Sequence, residues 1–137
     1  MTTDAPYVVE YEAAQRVIAV RFGALLTDHT LLQFFDNAPR YFAGRDVGSI
    51  LIDYSGVATV QVSSAVLKTL GKRPPLLPDP SLRVLVAPHD LVFGLARMSI
   101  SHGQGRDHAH IVRSLDEAHE ILGLRAPRFE VLQIMGL

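Results

Sequence analysis

Serine and aspartate side chains follow an apolar run in the middle of the chain, where such groups bind anions or orient ligands. Asp53 and Ser55 come directly after residues 50–52, and Ser63 and Ser64 open the next helical pattern. A serine at a helix start lies beside unpaired backbone N–H groups and the positive end of the helix dipole. Both serines are therefore candidates for anion binding or phosphorylation. A purely structural interpretation stays open, in which the serines cap the helix and the first pair hydrogen-bonds the following turn.

A second polar group, His89 and Asp90, follows the next apolar run, and Arg97 lies in the helical pattern after it. Ser63, His89 and an aspartate would supply the nucleophile, base and orienting acid of a hydrolase. The G-x-S-x-G turn that presents such a serine is absent from the sequence, so we assign no catalytic residue. His89, Asp90 and Arg97, together with Asp53 and Ser55, are instead candidates for a ligand or partner surface. Arg97 either pairs with an aspartate or extends into solvent.

Three histidines close in sequence raise the question of a metal site. His102, His108 and His110 are near one another, with Asp107 as a fourth candidate ligand. The chain has no cysteine, and no carboxylate stands at a familiar ligand spacing from these histidines. We therefore predict no metal and no cofactor.

Composition favours one soluble domain. The chain has 137 residues, of which 48% are hydrophobic and 20% charged, and this length and balance suit a single core. The net charge of −1 and the presence of lysine only at positions 68 and 72 argue against nucleic-acid binding. No apolar run approaches the roughly 20 residues of a membrane span. The N-terminal residues do not resemble an export signal, so we expect a cytoplasmic protein.

The first part of the chain predicts a β-hairpin followed by a helix. Apolar and polar residues alternate across Tyr7–Phe22, in two strands. Asp28 is a suitable cap for the helix, whose core positions follow the 3.6-residue period. Pro39 predicts a break near Asn37 and a second turn after it, which Gly44 ends.

Alternating strands and helices are predicted for the rest of the chain. Ile50–Ile52 is a run of consecutive apolar residues, typical of a strand buried on both faces, and it is the predicted central strand. The next elements are a helix capped by Ser63 or Ser64 and a strand over Leu82–Ala87. A helix capped by Asp90 follows, with Leu91, Val92, Leu95 and Met98 facing inward. The last two elements are a strand over His108–Arg113 and a helix over Leu115–Leu122, which has Ser114 and Glu117 as a capping box and Gly123 at its end.

This order predicts an α/β fold, with a mixed sheet of about five strands, an N-terminal hairpin and about four helices largely on one face. Residues 1–124 form the predicted domain, and residues 125–137 form a tail that belongs to it. The tail is rich in large apolar residues, which predicts either pairing along a sheet edge or a homodimer contact. The residues concerned are Phe129, Val131, Leu132, Ile134 and Met135.

The sequence resembles the STAS domain of the anti-sigma-factor antagonists, in particular the SpoIIAA-like bacterial proteins. The matching segments are ILIDYSGV at 50–57, VSSAVLKTL at 62–70, RVLVAPHDLVFGLARM at 83–98 and HIVRSLDEAHEILG at 110–123. The antagonists carry a phosphorylatable serine in an Asp-Ser-Ser-Gly stretch that opens the helix after the central strand. Ser63 aligns with that serine, whereas Gln61, Val62 and Ser64 stand where the antagonists have Asp, the first Ser and Gly.

The resemblance implies a non-enzymatic regulatory module that acts by protein–protein interaction through the surface around Ser63 and Ser64. A small-molecule or lipid carrier related in topology to CRAL-TRIO domains is the alternative, and a hydrolase is the third hypothesis. A carrier would need a large apolar pocket under the helix predicted at 91–100. A regulatory module would have a packed core beneath a flat polar surface.

Overall fold

A mixed β-sheet organises the part of the chain that the structure, a computed structural model, describes: residues 5–74, 77, 82–102 and 109–136. The elements in chain order are β1 (Tyr7–Glu12), β2 (Val17–Phe22), β3 (Leu25–Thr27), α1 (Asp28–Phe42), β4 (Ser49–Asp53), β5 (Thr59–Gln61), α2 (Ser64–Gly71), β6 (Leu82–Val86), α3 (Asp90–His102), β7 (Ala109–Val112), α4 (Leu115–Leu122) and β8 (Glu130–Ile134).

The main sheet has the strand order β7-β6-β4-β2-β1-β8. β2, β4, β6 and β7 run parallel, whereas β1 is antiparallel to both of its neighbours. The predicted α/β fold, its N-terminal hairpin and its central strand are confirmed. In the described residues this sheet has six strands rather than about five, because the tail pairs with β1 as β8.

A second, smaller sheet was not predicted from the sequence. β3 and β5 pair in parallel, with Leu25 opposite Thr59 and Thr27 opposite Gln61. Each strand has only three residues, which is too short to show the alternation that identifies a strand in a sequence. This sheet joins the two segments that lead into α1 and α2.

The helices cover both faces of the main sheet unequally. Leu31 and Phe34 of α1, Leu67 of α2 and Val92 of α3 belong to the larger core cluster. On the opposite face Ala118 of α4 joins a smaller cluster with residues of β2, β4, β6 and β7. Three of the helices described therefore share one face, as predicted, and α4 covers the other. This two-sided cover explains the consecutive apolar residues of β4.

Aromatic rings fix α1 against the hairpin and the end of β4. The centroids of Tyr7 and Phe34 lie 5.4 Å apart at 82°, and those of Phe22 and Tyr54 lie 5.4 Å apart at 12°. The hydroxyls of Tyr7 and Tyr41 are 3.0 Å apart, and burial together with this hydrogen bond raises the pKa of Tyr7. Because Tyr54 directly follows β4, the cluster holds the residues beyond that strand in place.

Two predictions about α1 were wrong. Thr27, not Asp28, is the cap: its hydroxyl accepts a hydrogen bond from the backbone N–H of Thr30 at 3.1 Å. The helix also continues through Pro39 to Phe42. Pro39 lies in the last turn, where Ala38 and Tyr41 are buried in the core, and their burial keeps this turn helical.

The predicted inward face of α3 was partly wrong. Val92, Leu95 and Ala96 are buried, but Leu91 is 59% exposed and Met98 is 41% exposed. The buried stripe begins at Val92, so Leu91 and Met98 lie at its flanks. Asp90 is the first helical residue rather than a residue before the helix. In α4, by contrast, the predicted cap Ser114 and the left-handed Gly123 are both confirmed.

The turn between β1 and β2 holds the segment that leads into β8. The carboxylate of Glu12 accepts hydrogen bonds from the backbone N–H groups of Ala14 and Arg128. The side-chain NH2 of Gln15 donates to the backbone carbonyl of Arg125 at 3.1 Å, and the side-chain oxygen of Gln15 accepts from the backbone N–H of Arg125 at 2.9 Å. Pairing of the tail along a sheet edge is therefore confirmed.

Self-association through the apolar residues of the tail stays a prediction. Val131 is 49% exposed on the edge strand β8, whereas the other four are half-buried.

We expect Ile50→Ala to lower the free energy of unfolding by about 2 to 5 kcal/mol, because it empties volume in the central strand. Ile50 is 1% exposed. Urea denaturation followed by circular dichroism measures the loss. The control is Val131→Ala on the exposed edge, for which we expect a change of about 0.5 kcal/mol or less. A midpoint for Ile50→Ala that equals the wild-type value would contradict the placement of β4 in the core.

Acid should weaken the attachment of the tail through Glu12. Its hydrogen bond from the N–H of Arg128, with further backbone donors, lowers the pKa of Glu12. A carboxylate with a lowered folded-state pKa stabilises the fold above its ordinary pKa of 4.5, and that contribution is lost as the pH falls through the lower value. We expect Glu12→Gln to remove this part of the acid dependence, as measured by melting temperature between about pH 6 and pH 3. The control variant Glu130→Gln should keep the acid dependence of the wild type. The same change of melting temperature with pH in the wild type, Glu12→Gln and Glu130→Gln would refute the role of Glu12.

Candidate functional site

The site begins at the carboxyl end of β4, where the chain makes a tight turn. Asp53 is 5% exposed, and its Oδ1 accepts a hydrogen bond from the N–H of Ser55 at 2.8 Å. The N–H of Tyr54 donates to the carbonyl of Val86 in the next strand at 2.9 Å. Asp53 thus makes the turn contact that the structural interpretation predicts, while the side chain of Ser55 is exposed.

The small β3–β5 sheet places the starts of two helices side by side. Thr27 and Gln61 are paired in register, and α1 and α2 begin shortly after them. Thr27 caps α1, and Ser63 caps α2. Asp36 of α1 forms an ion pair at 2.8 Å with Arg73, which lies two residues after the end of α2. The two strand–helix units therefore lie next to each other in the same direction.

Ser63 is held through its hydroxyl and through its backbone N–H. Its hydroxyl accepts a hydrogen bond from the N–H of Val66 at 3.2 Å, which caps α2. Its own N–H donates to Oδ1 of Asp28, in the first turn of α1, at 2.7 Å. Ser63 and its neighbour Ser64 are exposed. The predicted cap is confirmed, and it lies at the surface within reach of another protein.

The two segments that lead to the start of α2 lack charged residues, although the Asp28 carboxylate of α1 lies beside Ser63. Residues 22–27 and 54–67 contain no Asp, Glu, Lys, Arg or His. We name the exposed residues of these two segments near the helix start the neutral surface: Leu25, Thr59, Gln61, Ser63, Ser64 and Ala65. Leu25 is 48% exposed and pairs in register with Thr59. The cores of protein–protein interfaces are likewise depleted of charged residues.

His89, Asp90 and Arg97 lie apart from these contacts. Asp90 forms an ion pair with Arg113 at 3.0 Å, and the guanidinium of Arg113 lies 4.0 Å from the ring centroid of Phe93. His89 and Arg97 are exposed. Because Asp53 and Asp90 bond to other groups, the exposure of Arg97 fits a side chain that extends into solvent.

A hydrolase triad gains no support from these contacts. Within the described part of the chain, the hydrogen bonds of Ser63 run to Asp28, Val66 and Leu67, and none joins it to His89. The carrier alternative is not supported either. The inner side of α3 packs into the main core through Val92, Leu95 and Ala96.

The predicted histidine group falls largely outside the described residues. His108 and Asp107 lie outside them, as does the side chain of His102, and His110 is exposed on β7. Among the residues that are described, no three His, Asp or Glu side chains are grouped as metal ligands. In the same residues, no helix has both the length and the apolar content to cross a membrane.

Asp28 is the site residue that sequence reasoning assigned incorrectly. Its spacing from the following apolar residues indicated a helix cap, and the contact with Ser63 joins residues 35 positions apart. The sequence signal for the neutral surface is the segment 54–67, which contains no charged residue, as is typical of the core of a protein–protein interface.

Two solved structures share this arrangement of strands and helices. The anti-sigma factor antagonist SpoIIAA in its unphosphorylated form matches with a TM-score of 0.58 and 12% identity, over 86% of this chain and 98% of SpoIIAA. The chain has the SpoIIAA fold. The Bacillus cell fate determinant SpoIIAA in its phosphorylated form matches with a TM-score of 0.54 and 16% identity, over 84% of this chain and 98% of the other. No protein-family model and no curated protein matches the chain.

At these identities the likeness to SpoIIAA establishes the fold. The fold implied by the resemblance to the STAS domain is thereby confirmed, since almost the whole of SpoIIAA is matched. The hydrogen bonds at Ser63 and the neutral surface are observations on this chain itself.

We expect Ser63→Ala to lower the free energy of unfolding by about 1 kcal/mol, because α2 loses its capping hydroxyl. Ser64→Ala is the matched control: it changes the adjacent serine, which is the first helical residue and not the cap. Thermal melting of both variants measures the difference. Equal melting temperatures for the two alanine variants would show that the Ser63 hydroxyl does not cap the helix.

Proposed function

We propose that this protein is a regulatory module that binds a protein partner through the neutral surface, with Ser63 as its control point. The observation that carries the proposal is the exposure of Ser63 at a helix start, within segments that contain no charged residue and beside the carboxylate of Asp28. A charge-free surface is inexpensive to desolvate, and a single added phosphate changes its electrostatics strongly.

The support beneath the neutral surface favours binding without rearrangement. Backbone pairing of β3 with β5 fixes Leu25, Thr59 and Gln61 in register. The aromatic cluster holds Tyr54 and α1 behind them. A surface that is rigid before binding loses little conformational entropy in the complex, which favours affinity.

The SpoIIAA fold adds the class of partner. One matching structure is an antagonist of an anti-sigma factor, and the other is SpoIIAA in a phosphorylated form. By analogy of fold, the partner that we propose is a protein of the anti-sigma-factor class. The module acts by association and carries out no catalysis of its own.

Phosphorylation of Ser63 would be the regulatory step. A partner kinase transfers the γ-phosphoryl group of a nucleoside triphosphate to the Ser63 hydroxyl: the Oγ–P bond forms, the bond to the β-phosphate oxygen breaks, and the hydroxyl proton passes to a base of the kinase. The product adds a charge of about −1.5 to −2 at neutral pH. The partner that we propose covers the neutral surface with an uncharged face of its own. Binding would then remove the phosphate from water without a compensating charge, so phosphorylation opposes binding.

Photo-crosslinking tests the surface directly. A photoreactive amino acid is placed at Gln61, in the neutral surface, or at Glu120, an exposed position on α4, and the protein is expressed in its own host. We expect one discrete crosslinked protein from position 61, absent from position 120 and lost when Ser63→Glu is added. Tandem mass spectrometry of peptides from the same protein, with Ser63→Ala as the control, reports whether Ser63 carries phosphate. The same crosslinks from both positions, or crosslinking that Ser63→Glu leaves unchanged, would refute the proposal.

A further inference from the structure

Asp28 lies between the starts of two helices. It is in the first turn of α1, and its Oδ1 is 2.7 Å from the backbone nitrogen of Ser63, which precedes α2. Both helix starts carry partial positive charge from unpaired N–H groups, so this carboxylate is favourably placed in the structure as it stands.

The hydroxyl of Ser63 belongs to the same residue as the N–H that Asp28 holds. That hydroxyl accepts from the N–H of Val66 and therefore also lies at the start of α2. An anion attached to Ser63 Oγ would thus stand at the same helix start as the carboxylate of Asp28. Two anions at one helix start repel each other.

The contact between Asp28 and Ser63 bridges the two strand–helix units. The backbone pairing of β3 with β5 joins the strands of these units, and the Asp36–Arg73 ion pair joins α1 to the segment that follows α2. The helix starts, where the neutral surface lies, are joined by the Asp28–Ser63 hydrogen bond. Its loss would leave the strand pairing intact but would release the first turn of α2 from α1.

We propose that the Asp28–Ser63 hydrogen bond is a charge-sensitive latch, which a phosphate on Ser63 releases by repelling the Asp28 carboxylate. This inference rests on the proposed function, in which Ser63 receives its phosphoryl group from a nucleoside triphosphate. Phosphorylation then alters the neutral surface in two ways: it adds charge, and it shifts the start of α2 relative to α1. The phosphate takes the place of the carboxylate at the N-terminus of α2.

Four variants isolate the charge effect without any partner: Ser63→Glu and Ser63→Gln, each alone and each combined with Asp28→Asn. Glutamate and glutamine both remove the cap, so their comparison cancels that loss. Asparagine keeps an oxygen that accepts from the Ser63 N–H. With Asp28 present, we expect the Ser63→Glu variant to melt about 2 to 4 °C below the Ser63→Gln variant. In the Asp28→Asn background this difference should vanish or reverse.

Hydrogen exchange at residue 63 gives a second readout that does not depend on melting. We expect its backbone amide to exchange faster in Ser63→Glu than in Ser63→Gln, and we expect both differences to shrink in about 1 M salt. A glutamate–glutamine difference that is unchanged by Asp28→Asn would overturn the latch. Because no partner is used, this result is independent of the crosslinking test. If Ser63 is unphosphorylated in the host, the proposed function is refuted, but the effect of charge at residue 63 on the Asp28–Ser63 contact can still be measured.

Discussion

Burial of β4 on both faces is the constraint on which the rest of the structure depends. Ile50 and Leu51 point to opposite faces and are 1% and 2% exposed. A strand of this kind needs a layer of structure on each side, which α1–α3 provide on one face and α4 on the other. Parallel neighbours on both edges complete the backbone hydrogen bonding of β4. Polar residues are thereby confined to its ends, and the carboxyl end opens towards the start of α2.

The packed core and the neutral surface are therefore formed by different sets of side chains. Aromatic packing and strand pairing fix the segments beneath the neutral surface, while the exposed side chains above them are uncharged. A surface of this kind is sensitive to a single modification because few competing charges surround it. Serine at the helix start fits such a role, since its hydroxyl is exposed and yet held in a defined position.

The sequence predicted elements whose signals are local. Ile50–Ile52 indicated the central strand, and Ser114 with Glu117 and Gly123 marked the two ends of α4, because each pattern depends on neighbouring residues. It misplaced the cap of α1, where Thr27 and Asp28 are adjacent and both suitable. The break at Pro39 was wrong because burial of Ala38 and Tyr41 outweighs the local preference. The β3–β5 pairing and the Asp28–Ser63 contact join distant segments, which no local pattern encodes.

The docking of β8 on β1 brings distant parts of the chain together at one end of the sheet. The N–H of Met135 donates to the carbonyl of Tyr7 at 3.0 Å, and a side chain at Gly136 would touch the ring of Pro6. Pro6 in turn accepts a hydrogen bond from Gly23, which leads into β3. A domain fused beyond either Pro6 or Gly136 would be attached at the end of the sheet from which β2 leads, through Gly23, into β3 and the neutral surface. Tethering would raise its effective concentration there, so a fused segment could act as an intramolecular competitor of the partner protein.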